Sequence, residues 1–317
     1  MSLTTEQATR SLLTDRDRAA LVEIFAGRAA FDEPLAPHTS WKIGGPADAF
    51  VVAHREGELE ALMRWCFKRK IPWMAIGSGS NMLIGDGGLR GVAIRLGGDF
   101  AGIAVGVENG AVVVEAGASA NMAAVTAKAA TAGASGIGSL SGIPGTVGGS
   151  LRMNAGTDRE IGDFVRDVWV HSPAKPAAHP VTLQYFYRHS SLARDAIVSR
   201  VTLAFARHDP SAVREEMQAR LVRRKDTQPI ALPNAGSCFR NPEGDKAARL
   251  IEAAGAKGWR EGGAEVSTLH ANFINNVGGA SAKDVATLLA RVRSAVYERF
   301  GVALQLEVHL VGVFIDA

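Results

Sequence analysis

The sequence predicts a mixed α and β chain, with a larger glycine-rich α/β unit followed by a smaller α+β unit. Three observations carry this. Short apolar runs alternate with helical periodicity from 47 to 116, two glycine clusters (77–91 and 133–156) interrupt that region and its continuation, and the character changes after His208-Asp209-Pro210. At ~100–200 residues per domain, 317 residues make one large or two ordinary domains.

Residues 16–27 read as a short amphipathic helix with Leu21, Ile24 and Phe25 on one face, and Pro34 and Pro37 break the pattern. Residues 1–35 are therefore expected to be a helical extension. Strand-like ADAFVVA (47–53) leads to a helix over 56–70, then to the short strands PWMAI (72–76), NMLIG (81–85), GVAIRL (91–96) and AVVVEAG (111–117). An Ala-rich helix is expected over 119–132, and strands at VRDVWVH (165–171) and AIVSRVTLAFA (196–206). The larger unit spans 36–209, divided near 100, and the smaller spans 210–317. In the smaller unit, helices are expected over 211–225, 246–254 and 281–299. The last has a stripe of Val285, Leu288, Leu289, Val292 and Val296, a Ser281/Asp284 capping box and a Gly301 stop. The end, VALQLEVHLVGVFI (302–315), reads as one long strand returning toward the larger unit.

Composition excludes several classes. With 47% apolar and 21% charged residues, the chain is neither disordered nor embedded in a bilayer, and no charge-free apolar run of ~18 residues occurs. The first residues lack an apolar segment and cleavage site, so a cytoplasmic location is expected. A balance of 35 Lys+Arg against 32 Asp+Glu, without interleaved basic and aromatic residues, speaks against nucleic acid. Cys66 and Cys238 are too few for a disulfide framework, and the His spacing offers no metal site.

GSGSN (77–81) follows a strand directly. Its glycines can turn successive N–H groups onto a phosphate, although it is equally a tight turn, and Met82 stands where a dinucleotide fingerprint needs a third glycine. GIPGTVGG (142–149) is a second open loop, with Gly145, Gly148 and Gly149 free of Cβ and Pro144 stiffening the approach. Two such loops suit a ligand with two phosphates, and neither carries the ending of a P-loop. Arg188 in YRHS could pair bidentately with a carboxylate or be an ordinary surface arginine. Ser237 in NAGSCFRNP could donate a proton or be a turn serine, with Cys238 a buried thiol. RLVRRK (220–225) either answers a helix dipole or binds an anion. Glu307, within LQLEVHLVGV, either alternates to solvent or is a buried acid with a raised pKa.

In this order the segments HTSWKIGGPAD (38–48), GSGSNMLIGDGGLRG (77–91), GIPGTVGGSLRMNAG (142–156), YRHS (187–190), RRKDTQP (223–229), NAGSCFRNP (234–242), GGAEVSTLHANFINN (262–276) and LQLEV (304–308) resemble the UDP-N-acetylenolpyruvoylglucosamine reductases, or UDP-N-acetylmuramate dehydrogenases, of bacterial cell-wall synthesis. The resemblance implies an FAD-binding fold of the vanillyl-alcohol-oxidase type, in two α/β subdomains, with a smaller C-terminal α+β substrate domain. It implies non-covalent FAD, held by Gly77, Ser78, Gly79, Ser80, Asn81 and Met82 and by Ile143, Pro144, Gly145, Thr146, Gly148 and Gly149. NADPH is the implied hydride donor and a UDP-sugar enolpyruvyl ether the substrate. Arg188, Ser237 and Glu307 map onto the catalytic residues. Tyr187, Arg224, Lys225, Gln228, Asn241, His270 and Asn272 map onto or beside substrate contacts. Gly138 stands where an acid is usual, and Thr157–Glu160 forms a shorter turn than the family's. No counterpart of the tyrosine-bearing insert is present, which implies the shorter branch. A monomer is expected. The alternative is another flavin oxidase or dehydrogenase of the same fold acting on a sugar or alcohol.

Overall fold

The structure is a computed structural model that describes residues 10–315; residues 1–9 of the expected N-terminal extension lie outside the described residues. Helix α1 (Asp15–Ile24) begins with a reciprocal cap. Thr14 accepts from the Asp17 N–H, and the Asp17 carboxylate accepts from the Thr14 N–H. Its buried Leu21 shares a core with Leu59, Leu62 and Met63 of α2 (Glu56–Arg69).

Strands β1 (Ala29–Pro34), β2 (Pro46–Ala53), β3 (Trp73–Ala75) and β5 (Leu89–Leu96) make the first sheet, ordered β1-β2-β5-β3. The β1/β2 pair is antiparallel and the others are parallel. β2 is covered on both faces, and apart from Asp48, which pairs with Arg90, its buried side chains are apolar. Ala49, Val51 and Ala53 join the α2 cluster, and Ala47 and Phe50 join Leu35, Ile76 and Ile84. The short β4 (Met82–Ile84) stands outside this sheet.

The second sheet is antiparallel: β6 (Ile103–Glu108), β7 (Ala111–Gly117), β8 (Val165–His171), β9 (His179–Val181) and β12 (Ile197–Ala206), ordered β6-β7-β12-β8-β9. Helices α3 (Met122–Thr131) and α4 (Val147–Arg152) pack on it, and a hairpin of β10 (Tyr185–Phe186) and β11 (His189–Ser190) stands beside it. α5 (Pro210–Thr227) follows the change of character near 209, yet its Val213 is buried with Val125 and Ala129 of α3.

The remaining unit holds α6 (Ala247–Ala253), a three-stranded sheet of β13 (Arg260–Glu261), β14 (Ala264–Val266) and β15 (Ile274–Asn276), and α7 (Ala282–Phe300). The capping box at Ser281 and Asp284 and the left-handed Gly301 (φ 68°) bound α7, and its valine and leucine stripe is buried. Trp41, Ile43 and Leu83 complete this core from the other end of the chain. The Trp41 indole donates to the Ile274 carbonyl (2.8 Å), and the Asn276 amide donates to the Trp41 carbonyl (2.9 Å). Asp86 accepts from the Ala282 and Lys283 N–H groups at the start of α7 (2.8 and 3.0 Å).

The long strand expected over 302–315 is not formed. Only β16 (His309–Val311) is regular, pairing in parallel with β4. The alternation is real, since Leu304 and Val308 are buried, but the backbone changes partner midway. The Arg240 N–H donates to the Gln305 carbonyl, and the Cys238 carbonyl accepts from both Glu307 and Val308. The His309 N–H then turns to the Asn81 carbonyl.

Candidate active site

That change of partner builds the site. Pairing of 238–240 with 305–307 brings Ser237 beside Glu307, and the Asn81 amide donates to the Glu307 carbonyl (3.0 Å), tying the first glycine loop to the same point. The second loop reaches it through Ser80, whose hydroxyl donates to the Pro144 carbonyl (2.9 Å). A Cβ on Gly77 would lie 2.8 Å from the Thr146 hydroxyl, so a side chain there would press the two loops apart. Thr146 caps α4, and the Val147 and Gly148 N–H groups bond the Ala120 and Ala118 carbonyls.

Between these segments lies a cavity of about 650 Å³. Its walls include all twelve loop residues singled out in the sequence, from Gly77 to Met82 and from Ile143 to Gly149, together with Arg188, Ser237, Glu307, Arg224 and Gln228. Arg95 and Arg152 also line it, and Glu307 is the acid among the described lining residues. Burial pushes the guanidinium pKa values of Arg95, Arg152 and Arg224 down, and the Arg95 Nε and Gln228 Oε1 are buried without a hydrogen-bond partner. A cationic cavity with unpartnered polar atoms and an open glycine rim suits an anionic ligand such as a flavin dinucleotide.

Arg188 occupies the two-residue turn between β10 and β11 in the left-handed region (φ 56°), a conformation that side chains other than Gly, Asn and Asp seldom adopt. Its Nε donates to Glu307 and its Nη1 to Glu160, each at 3.0 Å. Burial raises the Glu307 carboxyl above its usual range, opposed by Arg188 and Arg240 and reinforced by the charge of Glu160. Burial likewise raises Glu160, against Arg188. Cys238 is an inert neighbour of Ser237, its thiol pushed up to about 12 by burial.

Other expected contacts lie outside the cavity lining. Tyr187 is 46% exposed, with the Arg188 guanidinium 4.8 Å over its ring. Lys225 is exposed beside Arg224 at the end of α5. Asn241 is exposed and accepts from the Ala247 N–H at the start of α6 (3.1 Å). His270 packs edge-on to Phe273, its Nδ1 facing the Asn272 N–H. Asn272 is buried and spends its amide on Phe239, accepting from the N–H (2.9 Å) and donating to the carbonyl (2.8 Å). Its task in this structure is to hold the Ser237 loop. Missed by the sequence reading were Arg95, Arg152, Glu160 and His309. An arginine ending a buried strand, as Arg95 does at β5, was the available signal for the first.

Residues 47–171 match the FAD binding domain model and residues 228–311 match the model of the UDP-N-acetylenolpyruvoylglucosamine reductase C-terminal domain. The UDP-N-acetylenolpyruvoylglucosamine reductase of Moorella thermoacetica is 41% identical over 284 residues, covering 89% of this chain and 92% of that protein. An Anaeromyxobacter protein of the same name is 42% identical over 299 residues, covering 94% and 93%. The crystal structure of the Thermus caldophilus enzyme of that name superposes with a TM-score of 0.75 at 33% identity, covering 89% of this chain and 97% of that one. Fold, loops and both halves of the chain agree: this protein belongs to the UDP-N-acetylenolpyruvoylglucosamine reductase family.

Proposed function

We propose that the chain reduces UDP-N-acetylglucosamine enolpyruvate to UDP-N-acetylmuramate with NADPH, as a step of peptidoglycan precursor synthesis. The observation that supports this best is the convergence of Arg188, Ser237 and Glu307, from three distant segments, on a cavity whose other wall is the pair of glycine loops. The two glycine loops would hold FAD, which when bound would supply the hydride needed at the vinyl methylene carbon of the substrate. Two electrons of the double bond then gather on the adjacent carbon and its carboxylate as an enolate. Arg188, and Glu307 in its uncharged form, donate hydrogen bonds to that developing charge, each worth about 3 kcal/mol in such a site. Ser237 gives its proton to the adjacent carbon, completing the reduction. Arg224 and Gln228, with Lys225 beside them, hold the diphosphate remote from the reacting atoms, so that binding energy orients the enolpyruvyl group.

The test is an anaerobic absorption titration of the purified protein. Flavin bands should bleach with NADPH and return with the enolpyruvyl sugar nucleotide. Bands that return only with oxygen would replace this reading with an oxidase of the same fold.

A further inference from the structure

Glu160 is an acid at this site without a part in the reaction above. It ends the turn that follows Asn154 and meets Arg188 through Nη1, whereas Glu307 uses Nε. Two carboxylates that share one guanidinium repel each other, so one of them is the easier to protonate, and their surroundings decide which.

Glu160 is the better solvated by donors. The Asn154 amide bonds its carboxylate, and the Arg188 backbone N–H adds to the Nη1 contact. Asn154 is itself fixed, in left-handed backbone (φ 45°), accepting from the Gly162 N–H and donating to the Phe186 carbonyl. Glu307 is the more buried, 16% against 23% exposed, and among the described residues its carboxylate receives Arg188 Nε alone. Arg240 is the other cation acting on Glu307, and Asp163 the other anion acting on Glu160. His309 lines the same cavity.

Resting on the reductase reading, we propose that Glu160 is a positioning residue for Arg188. It takes the ion pair and sets the orientation of the guanidinium, leaving Glu307 to meet substrate as an uncharged acid. The negative charge of Glu160 raises the Glu307 pKa, so removing it lowers that pKa. The active form is the protonated one, and its share falls as pH rises through the Glu307 pKa. The descending limb of the rate profile therefore moves to lower pH when Glu160 loses its charge.

The experiment is stopped-flow reoxidation of the NADPH-reduced holoenzyme by the enolpyruvyl sugar nucleotide, as a function of pH. Glu160→Gln keeps the size and an acceptor oxygen but removes the charge. It should slow reoxidation about tenfold or more at neutral pH and displace the descending limb toward acid. Glu160→Asp keeps the charge and should keep the limb. An unmoved limb in Glu160→Gln, or equal displacement in both variants, would overturn the proposal, since a packing role alone does not distinguish them. If Glu160→Gln does not retain flavin, Glu160→Asp decides: a retained limb supports the assignment and a displaced one removes it. A wild-type protein that the sugar nucleotide never reoxidises would instead sink the reductase reading, and this one with it.

Discussion

Ser237 differs from its neighbour Cys238 in what surrounds it. The thiol is buried, while the serine faces the cavity that Glu307 and Arg188 enter. If the serine acts only as proton donor, Ser237→Ala should leave bleaching by NADPH nearly intact and slow reoxidation by the sugar nucleotide by about two orders of magnitude or more. Comparable loss in both half-reactions, measured by stopped flow, would remove it from that role. Ser237, Arg188 and Glu307 were legible because each sits in a local string whose order along the chain is distinctive. Glu160 was not, because nothing in a turn acid signals that a guanidinium 28 positions later will fold against it. Asn272 was legible only as a neighbour of substrate contacts and not in its task, since an amide that braces a loop and one that meets a ligand look alike in sequence.

Elements with a strong internal period were the easiest to read. α7 has its capping box, stripe and glycine stop where the sequence places them, because local chemistry fixes each of them. The 302–315 segment misled because alternation reports which side chains are buried, not which backbone its N–H groups will find. The sheet of β13, β14 and β15 went unnoticed because strands of two or three residues carry no period. The Asn272 brace belongs to this scale, since it joins the 234–242 loop to the turn before β15. Asn272→Ala leaves a buried N–H and carbonyl of Phe239 unpaired and should cost about 2–3 kcal/mol in denaturant unfolding. Its KM for the sugar nucleotide should change little. Unchanged stability with a raised KM would instead make Asn272 a ligand contact.

Across the whole molecule, the unit that follows α5 is not self-sufficient. Trp41, Ile43 and Leu83 are part of its core, Asp86 caps α7, and β16 has its partner in β4. A fragment of residues 228–317 loses a fully buried tryptophan and those bonds together, a loss of several kcal/mol by itself. That fragment should show little cooperative thermal unfolding by circular dichroism, and a sharp transition would contradict the shared core. The sequence marks a change of character near 209 but not this dependence, because contacts between residues 41 and 274 leave no local trace.

The β4–β16 pairing also sets a timetable. The glycine loops come early in the sequence, but Glu307, whose carbonyl Asn81 bonds, lies 226 positions after Asn81 and just ahead of β16. Pairing over so many intervening residues is slow to close. Until that pairing forms, a folding chain holds only half of the cleft, and the cavity is complete only when these two distant segments meet.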